Sequence, residues 1–367
     1  MEAPLHSTSR LLRRVLRYTL LLLVSTLVVL PLVSGEARFL LRSAYEEARI
    51  LLGRRPLKEL IADTATAAER RSQFELVLAA RAFAAERLGL KAGDTYTTFS
   101  DLGEGTTLVH VLSASPKDRL AGYKWSYPVV GAVPYKGFFD EEAAKAEMRR
   151  LERMGYDTYL RPAGAFSTLG WFNDPLLSTA LDEDPVELVV TVIHEIAHNT
   201  LWVPGDVRFN ESYANFVGFR GAELFFASRG DHEAVRRCAA MWRDEKRLGA
   251  FYTELEDDLL SLYGSRLARP ELERRRAAVF ARARGTLRSL KLEVYDGARI
   301  ARTPINNARV IAKRIYLTGL DELDKVYEAQ RGDLRAGIRE IERSLKRNPA
   351  LPPMEVLAVV ARSAARG

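Results

Sequence analysis

Residues 184–203, DPVELVVTVIHEIAHNTLWV, decide how the rest of the chain is read. Asp184 and Glu187 form a capping box, and Pro185 falls at the first helical position, where its missing N–H costs nothing. The pattern predicts a helix that starts at about Pro185 and runs through His194, Glu195 and His198. Val189, Val190, Val192 and Ile193 form an apolar run that would bury this helix. His194 and His198 are four residues apart, so they lie one above the other on the same face, within about 5–6 Å. Such a pair can reach one zinc ion at roughly 2.0–2.1 Å from each ring nitrogen. Glu195, next to the first histidine, is placed to act as a general base on water. The competing reading is a buried helix whose histidines only satisfy hydrogen bonds. Burying two histidines and a glutamate without a metal would leave charge and donors poorly satisfied, which favours the metal.

His-Glu-x-x-His on a helix is the signature of zinc-dependent peptide hydrolysis. A catalytic zinc needs a third protein ligand and an open position. The metzincin pattern would require a histidine six residues after His198, where the chain has Pro204, so that class is excluded. The remaining candidates are Asp206, Glu211, Glu223 and His232. VPG at 203–205 ends the first helix, and RFNESYANFVGFRGAELFF at 208–226 reads as a second. Glu211 falls in its first turn, where the helix dipole favours a carboxylate. Ala214, Gly218 and Ala222 share its face, and small residues there allow close packing on the first helix. Glu211 is therefore the expected third ligand. Asp206 and Asn210 are expected to support the ligands from behind, with a helix cap as the other role for Asp206.

HEIAH followed by NESYANF resembles the gluzincins, in which HExxH is joined by a glutamate from a following helix; the NE-x-x-A form resembles their aminopeptidase branch. The blocks KWSYPVVGAVPYKGFFD, FSTLGWFNDPLLST, HEIAHNTLWVPGDVRFNESYANFVG and PINNARV are together similar to a bacterial family of predicted zinc aminopeptidases, over about Tyr45 to Tyr316. The resemblance implies one Zn2+ on His194, His198 and Glu211, with Glu195 as base and a peptide as substrate. It also implies a strand just upstream that lines the cleft, so that Ser167, Thr168, Leu169 and Gly170 would bind extended peptide by backbone pairing. Many members of that family look like lipoproteins; this chain departs from them in having no cysteine at the end of its apolar run.

That run spans Tyr18 to Gly35 and follows Arg10, Arg13, Arg14 and Arg17. As a helix its 18 residues would cover roughly 27 Å, close to a hydrocarbon core of about 30 Å. The arginine flank predicts a cytoplasmic N-terminus and an extracytoplasmic remainder, the arrangement of an inner-membrane protein with one N-terminal span and its catalytic part in the periplasm. The length of the run favours a retained signal anchor over a cleaved signal peptide. Elsewhere the composition is that of an ordinary globular protein: 367 residues, 47% hydrophobic and 28% charged, which excludes wholesale disorder and a polytopic membrane protein. A single cysteine, Cys238, excludes a disulfide-stapled fold and reads as a small buried hydrophobe. The net charge of +7 comes from scattered arginines, and with none of the four tryptophans interleaved the run ERRRAAVFARAR reads as a solvated helix face; no nucleic-acid partner is expected.

The fold class expected is α+β and mainly helical, with a small mixed or antiparallel sheet packed on the HExxH helix in a gluzincin-like core. Residues 1–37 form the basic flank and anchor, and 38–367 the peptidase domain: helical over 38–92, a sheet region over 93–180, the active-site helix pair over 181–228 and helices over 229–367. Pro56 is expected to break the first helical stretch. TYTTF and TTLVHVLS read as a hairpin, KWSYPVVGAVPY as an irregular strand, and Asp140 and Gly155 as the bounds of a helix. Tyr127, Tyr135, Tyr213, Tyr316 and His110 are available as oxyanion donors, and the sequence does not choose among them. Asn306 and Asn307 either reach the site or cap a helix. These features point to a membrane-anchored extracytoplasmic zinc metallopeptidase, an aminopeptidase by resemblance. The rival is a noncatalytic anchored zinc-binding or interaction protein, whose metal site a fourth protein ligand would close.

Overall fold

Apolar residues at helical spacing dominate the chain, and helices dominate the computed structural model, which describes residues 17–19, 35–103, 109–127, 131–163, 175–181 and 184–364. Two compact units divide between Gly53 and Arg54. The first contributes helix α1 (Gly35–Leu52). Among the described residues no helix is long and apolar enough to cross a membrane. Most of the run expected to span one, residues 20–34, lies outside the described residues.

The second unit begins with β1 (Arg55–Pro56), α2 (Leu57–Ala62) and α3 (Ala68–Glu86). Pro56 does sit at the break, because its ring cannot continue α1. The strand region follows as β2 (Thr98–Ser100), β3 (Val109–Pro116), β4 (Trp125–Tyr127), β5 (Gly131–Val133), β6 (Lys136–Phe138), α4 (Glu141–Arg153), β7 (Tyr156–Ala163) and β8 (Leu176–Leu177). Asp140 caps α4 by accepting from Ala143 N at 2.6 Å, and Gly155, at φ +86°, makes the left-handed turn beyond its end. The remaining helices are α5 (Pro185–Thr200), α6 (Val207–Ser228), α7 (His232–Gly264), α8 (Arg269–Ser289), α9 (Gly297–Ile300), α10 (Asn307–Arg314), α11 (Leu320–Ala329), α12 (Leu334–Arg347) and α13 (Pro353–Ala364).

The strands form three small sheets rather than one. β1, β2 and β8 make a mixed sheet, antiparallel between β1 and β2 and parallel between β2 and β8. β6, β3 and β7 make an antiparallel one, and β4 pairs antiparallel with β5. The expected hairpin of β2 with β3 is therefore corrected. β2 takes its partners from 55–56 and 176–177, and β3 takes its own from 136–138 and 156–163. The irregular strand at 124–135 resolves into the β4–β5 pair.

Two cores result. The smaller one lies under the β3 sheet and joins Leu112, Ala114, Trp125 and Phe138 to Ala144 and Leu151 of α4. The larger one is helical and centres on α5, of which Val186, Leu188, Val189, Val192, Ile193 and Ile196 are buried. α5 packs chiefly on α6 and α3, whereas the β3 sheet packs chiefly on α4 and α10. An apolar helix surrounded by other helices is what the near-continuous apolar run at 188–197 demands.

The sheet and the helices are tied by the block at 304–310. Asn306 caps α10 by accepting from Arg309 N at 3.0 Å and donates to Thr158 O at 2.8 Å. Asn307, fully buried, donates to Pro116 O at 2.8 Å, accepts from Tyr263 Oη at 2.8 Å and gives its backbone N–H to Asp157 at 3.0 Å. Arg276 of α8 closes the network on Asp157.

Candidate active site

α5 starts as its sequence dictates. Asp184 accepts from Val186 N at 2.9 Å, Pro185 occupies the first turn, and the helix carries His194, Glu195 and His198 before it ends at Thr200. Gly205, at φ +84°, turns the chain, and Asp206 opens α6 by accepting from Phe209 N at 2.8 Å. Asp206 is thus a helix cap. Asn210 clamps the turn between the two helices: its amide accepts from Val203 N and donates to Val203 O, both at 2.8 Å.

The two helices approach closely because α6 presents small residues to α5. A Cβ on Gly218 would fall 2.9 Å from Val190 O and 3.2 Å from His194 Cβ, and one on Gly221 would fall 2.9 Å from Ile193 Cγ2. That approach brings Glu211 to the histidines. The two Nε2 atoms of His194 and His198 stand 3.2 Å apart, with Glu211 Oε2 3.5 Å from the first and Oε1 3.7 Å from the second. One ligand atom from each of the three residues lies within 4.8 Å of the others, and no other group of three such residues forms among the described residues. Two ligands held at 2.0–2.1 Å in a tetrahedral arrangement stand about 3.3 Å apart, so this donor set fits a divalent cation. Of the other residues weighed as ligands, Glu223 is paired with Arg220 at 2.8 Å, and His232 is the exposed first residue of α7.

Burial works against charge on His194, but its contact with Glu211 and the negative charges of Glu195 and Glu211 win, so its pKa is raised. His198 goes the other way: burial and the charge of His194 push it down to about 4. Burial opposes the charged form of Glu211 too, yet the two histidines and Arg161 bring its pKa below the ordinary value. One imidazole stays neutral while the other leans on a carboxylate. His198 Nδ1 is buried without a hydrogen-bond partner among the described residues, and the ring of His198 meets Trp202 edge-on at 5.5 Å.

Residues 38–352 match the family described as "Putative aminopeptidase". The chain belongs to this family. No curated protein and no solved structure matches it. The match covers the strand region, the α5–α6 pair and the helices as far as α12, so the peptidase family is shown for nearly the whole second unit.

In this family member a cleft of about 290 Å³ opens beside His194, lined by Glu187, His194, Glu195, Asn215, Glu245 and Tyr295 among others. Burial raises the pKa of Glu245, and burial together with the charges of Glu245 and Glu187 raises that of Tyr295. Tyr135 and Tyr316 stand within reach of the charge of Glu211: both have raised pKa values, through burial first and then Glu211, with Arg161 opposing. Arg161 donates to Tyr316 Oη at 3.4 Å.

The other tyrosines do not share this position. Tyr213 is wholly buried against Phe209, only the backbone of Tyr127 is described, and His110 sits in mid-sheet on β3 opposite Phe138 and Pro162. Ser167, Thr168, Leu169 and Gly170 lie outside the described residues. Cys238 is buried, and burial pushes its thiol pKa up to about 12, which leaves it inert at neutral pH. Sequence reasoning missed Asn215, Arg161, Glu245 and Tyr295. Asn215 carries a signal, since it lies one helical turn beyond Glu211, whereas the other three arrive from β7, α7 and the 290–296 segment without one.

Proposed function

We propose that the chain is a zinc-dependent aminopeptidase of gluzincin type, anchored by its N-terminal apolar run with the catalytic unit outside the cytoplasm. The observation that carries this reading is the convergence of His194 Nε2, His198 Nε2 and the Glu211 carboxylate from two adjoining helices, with Glu195 lining a cleft together with His194. Those three side chains would hold the ion. When bound, it would polarise the scissile carbonyl and make water acidic enough to attack near neutral pH.

The chain's own residues do the rest. The Glu195 carboxylate takes a proton from the attacking water and delivers it to the leaving amine nitrogen. The carbonyl oxygen becomes anionic as the attack proceeds and needs an O–H donor. Tyr135 and Tyr316, kept protonated by burial and by Glu211, are the residues suited to supply it. The four arginines before residue 18 and the uncharged run to residue 35 support the anchor and its orientation.

The test uses the full chain purified from membranes: zinc content by elemental analysis, and hydrolysis of a peptide with a free N-terminus against the same peptide acetylated. About one zinc per chain and cleavage confined to the free peptide are expected. A metal-free chain that cleaves neither peptide would overturn the reading.

A further inference from the structure

Arg161 lies on β7, where successive side chains alternate between the two faces of the sheet. Leu160 packs into the smaller core on the α4 side, and Asp157 accepts from Asn307 N on the α10 side. Arg161, four residues after Asp157, shares its face, so it reaches toward α10 and the turn that follows it. There its Nη2 donates to Tyr316 Oη at 3.4 Å, and the guanidinium carbon stands 5.8 Å from the centre of the Tyr316 ring. No carboxylate among the described residues pairs with Arg161, so its charge is spent on the phenol alone. A guanidinium can only donate, which makes the phenol oxygen the acceptor and leaves the O–H hydrogen for another partner. Among the described residues that hydrogen meets no acceptor.

The backbone of Tyr316 is held from the other side. Ser212, next to Glu211 on α6, donates to Ile315 O at 3.3 Å and accepts from Thr318 N at 3.1 Å. Asn215, one helical turn after Glu211, donates to Tyr316 O at 3.2 Å. These contacts seat the 315–318 turn on the stretch of α6 that carries Glu211. Tyr316 is therefore gripped at both ends, by α6 through its backbone and by β7 through its phenol. Tyr135 differs: it is 37% exposed and makes no hydrogen bond among the described residues.

We propose that Arg161 is a positioning residue that acts through Tyr316: by donating to Oη it fixes the phenol and leaves the O–H free for the carbonyl oxygen as that oxygen turns anionic. A hydrogen bond accepted from a cation also strengthens the bond that the phenol gives. Tyr316 rather than Tyr135 is then the oxyanion donor. The inference rests on the zinc peptidase reading above.

The experiment is a mutant cycle on the full chain, with kcat and KM for a peptide bearing a free N-terminus and zinc affinity from competition against a graded chelator. Tyr316→Phe removes the donor and should lower kcat about 10²–10³-fold. Arg161→Gln removes one hydrogen bond from a charged group and should lower kcat roughly tenfold or more. Its KM and zinc affinity should stay within about threefold of the unmodified chain, as expected of a group that touches neither substrate nor metal. Because Arg161 acts through Tyr316, the double variant should lose no more than Tyr316→Phe alone. In a Tyr135→Phe background Arg161→Gln should keep its full effect. The proposal is overturned if the losses multiply in the Arg161→Gln/Tyr316→Phe variant, or if Tyr135→Phe absorbs the effect of Arg161→Gln instead. It is equally overturned if Arg161→Gln leaves kcat unchanged, or acts on KM alone as a direct hold on the substrate would. Should Arg161→Gln fail to fold, Arg161→Met, which keeps an apolar stem, takes its place in the cycle under the same criteria. A chain without zinc-dependent hydrolysis would mark failure of the zinc reading itself; normal hydrolysis with multiplying losses would mark failure of this proposal alone.

Discussion

The α5–α6 pair and the β3 sheet belong to the same unit and were built under different rules. In the helix pair every chemical group is placed by short-range geometry. Two histidines are four residues apart, a glutamate follows thirteen residues later, and Gly218 and Gly221 let the second helix close on the first. In the sheet, nothing local decides which strand pairs with which. β2 and β3 are neighbours in sequence yet belong to different sheets, and the sheet's link to the helices runs through Asn307 and Asp157, which are 150 residues apart. The candidate metal ligands lie where geometry is local, and the long-range network ties the sheet to α8 and α10.

The comparison can be strained at four points, in falling order of effect. Glu195→Gln should keep zinc at one per chain and leave thermal unfolding unchanged while hydrolysis drops by a factor of roughly 10² or more, since the amide cannot take the proton. Parallel loss of zinc would show that Glu195 belongs to the ligand set. Gly218→Val drives a side chain into Val190 O, 2.9 Å from its Cβ, and should cost about 1–3 kcal/mol of stability in denaturant melts. Because the same change pushes α6 from His194, zinc affinity should fall too; a variant as tight as the unmodified chain would mean that close packing does not place Glu211.

Asn307→Ala strips buried partners from the sheet network. It should destabilise by about 1–3 kcal/mol and yet leave zinc affinity as it is, which is the sharpest contrast with Gly218→Val. Asp206→Ala removes one helix cap, at a cost of about 1 kcal/mol. Its zinc affinity should change far less than that of Glu211→Ala, and a chelator series on the two variants would rank them.

The helix pair was legible because its signals are contiguous. Asp184 and Pro185 start α5, Gly205 and Asp206 restart the chain, and Glu211 shares a face with Ala214, Gly218 and Ala222. The β2–β3 hairpin was misread because alternation marks a strand without naming its partner, and a nearby strand is only the default partner. Tyr135 and Tyr316 could not be told from Tyr213 for the same reason. What distinguishes them is nearness to Glu211, and 76 residues on one side and 105 on the other leave no trace of that in sequence. Asn210 shows a subtler limit: its place beside Glu211 suggests support of a ligand, whereas its amide is spent on the backbone of Val203.

The central claim is that His194, His198 and Glu211 together form one metal site. Its most direct measurement is zinc stoichiometry, by elemental analysis after dialysis against a weak chelator, on the unmodified chain, Glu211→Ala and Glu195→Gln side by side. The account predicts about one zinc per chain in the first and third and almost none in the second, where only two histidines remain. Equal zinc in all three, or zinc lost from Glu195→Gln and kept by Glu211→Ala, would contradict it.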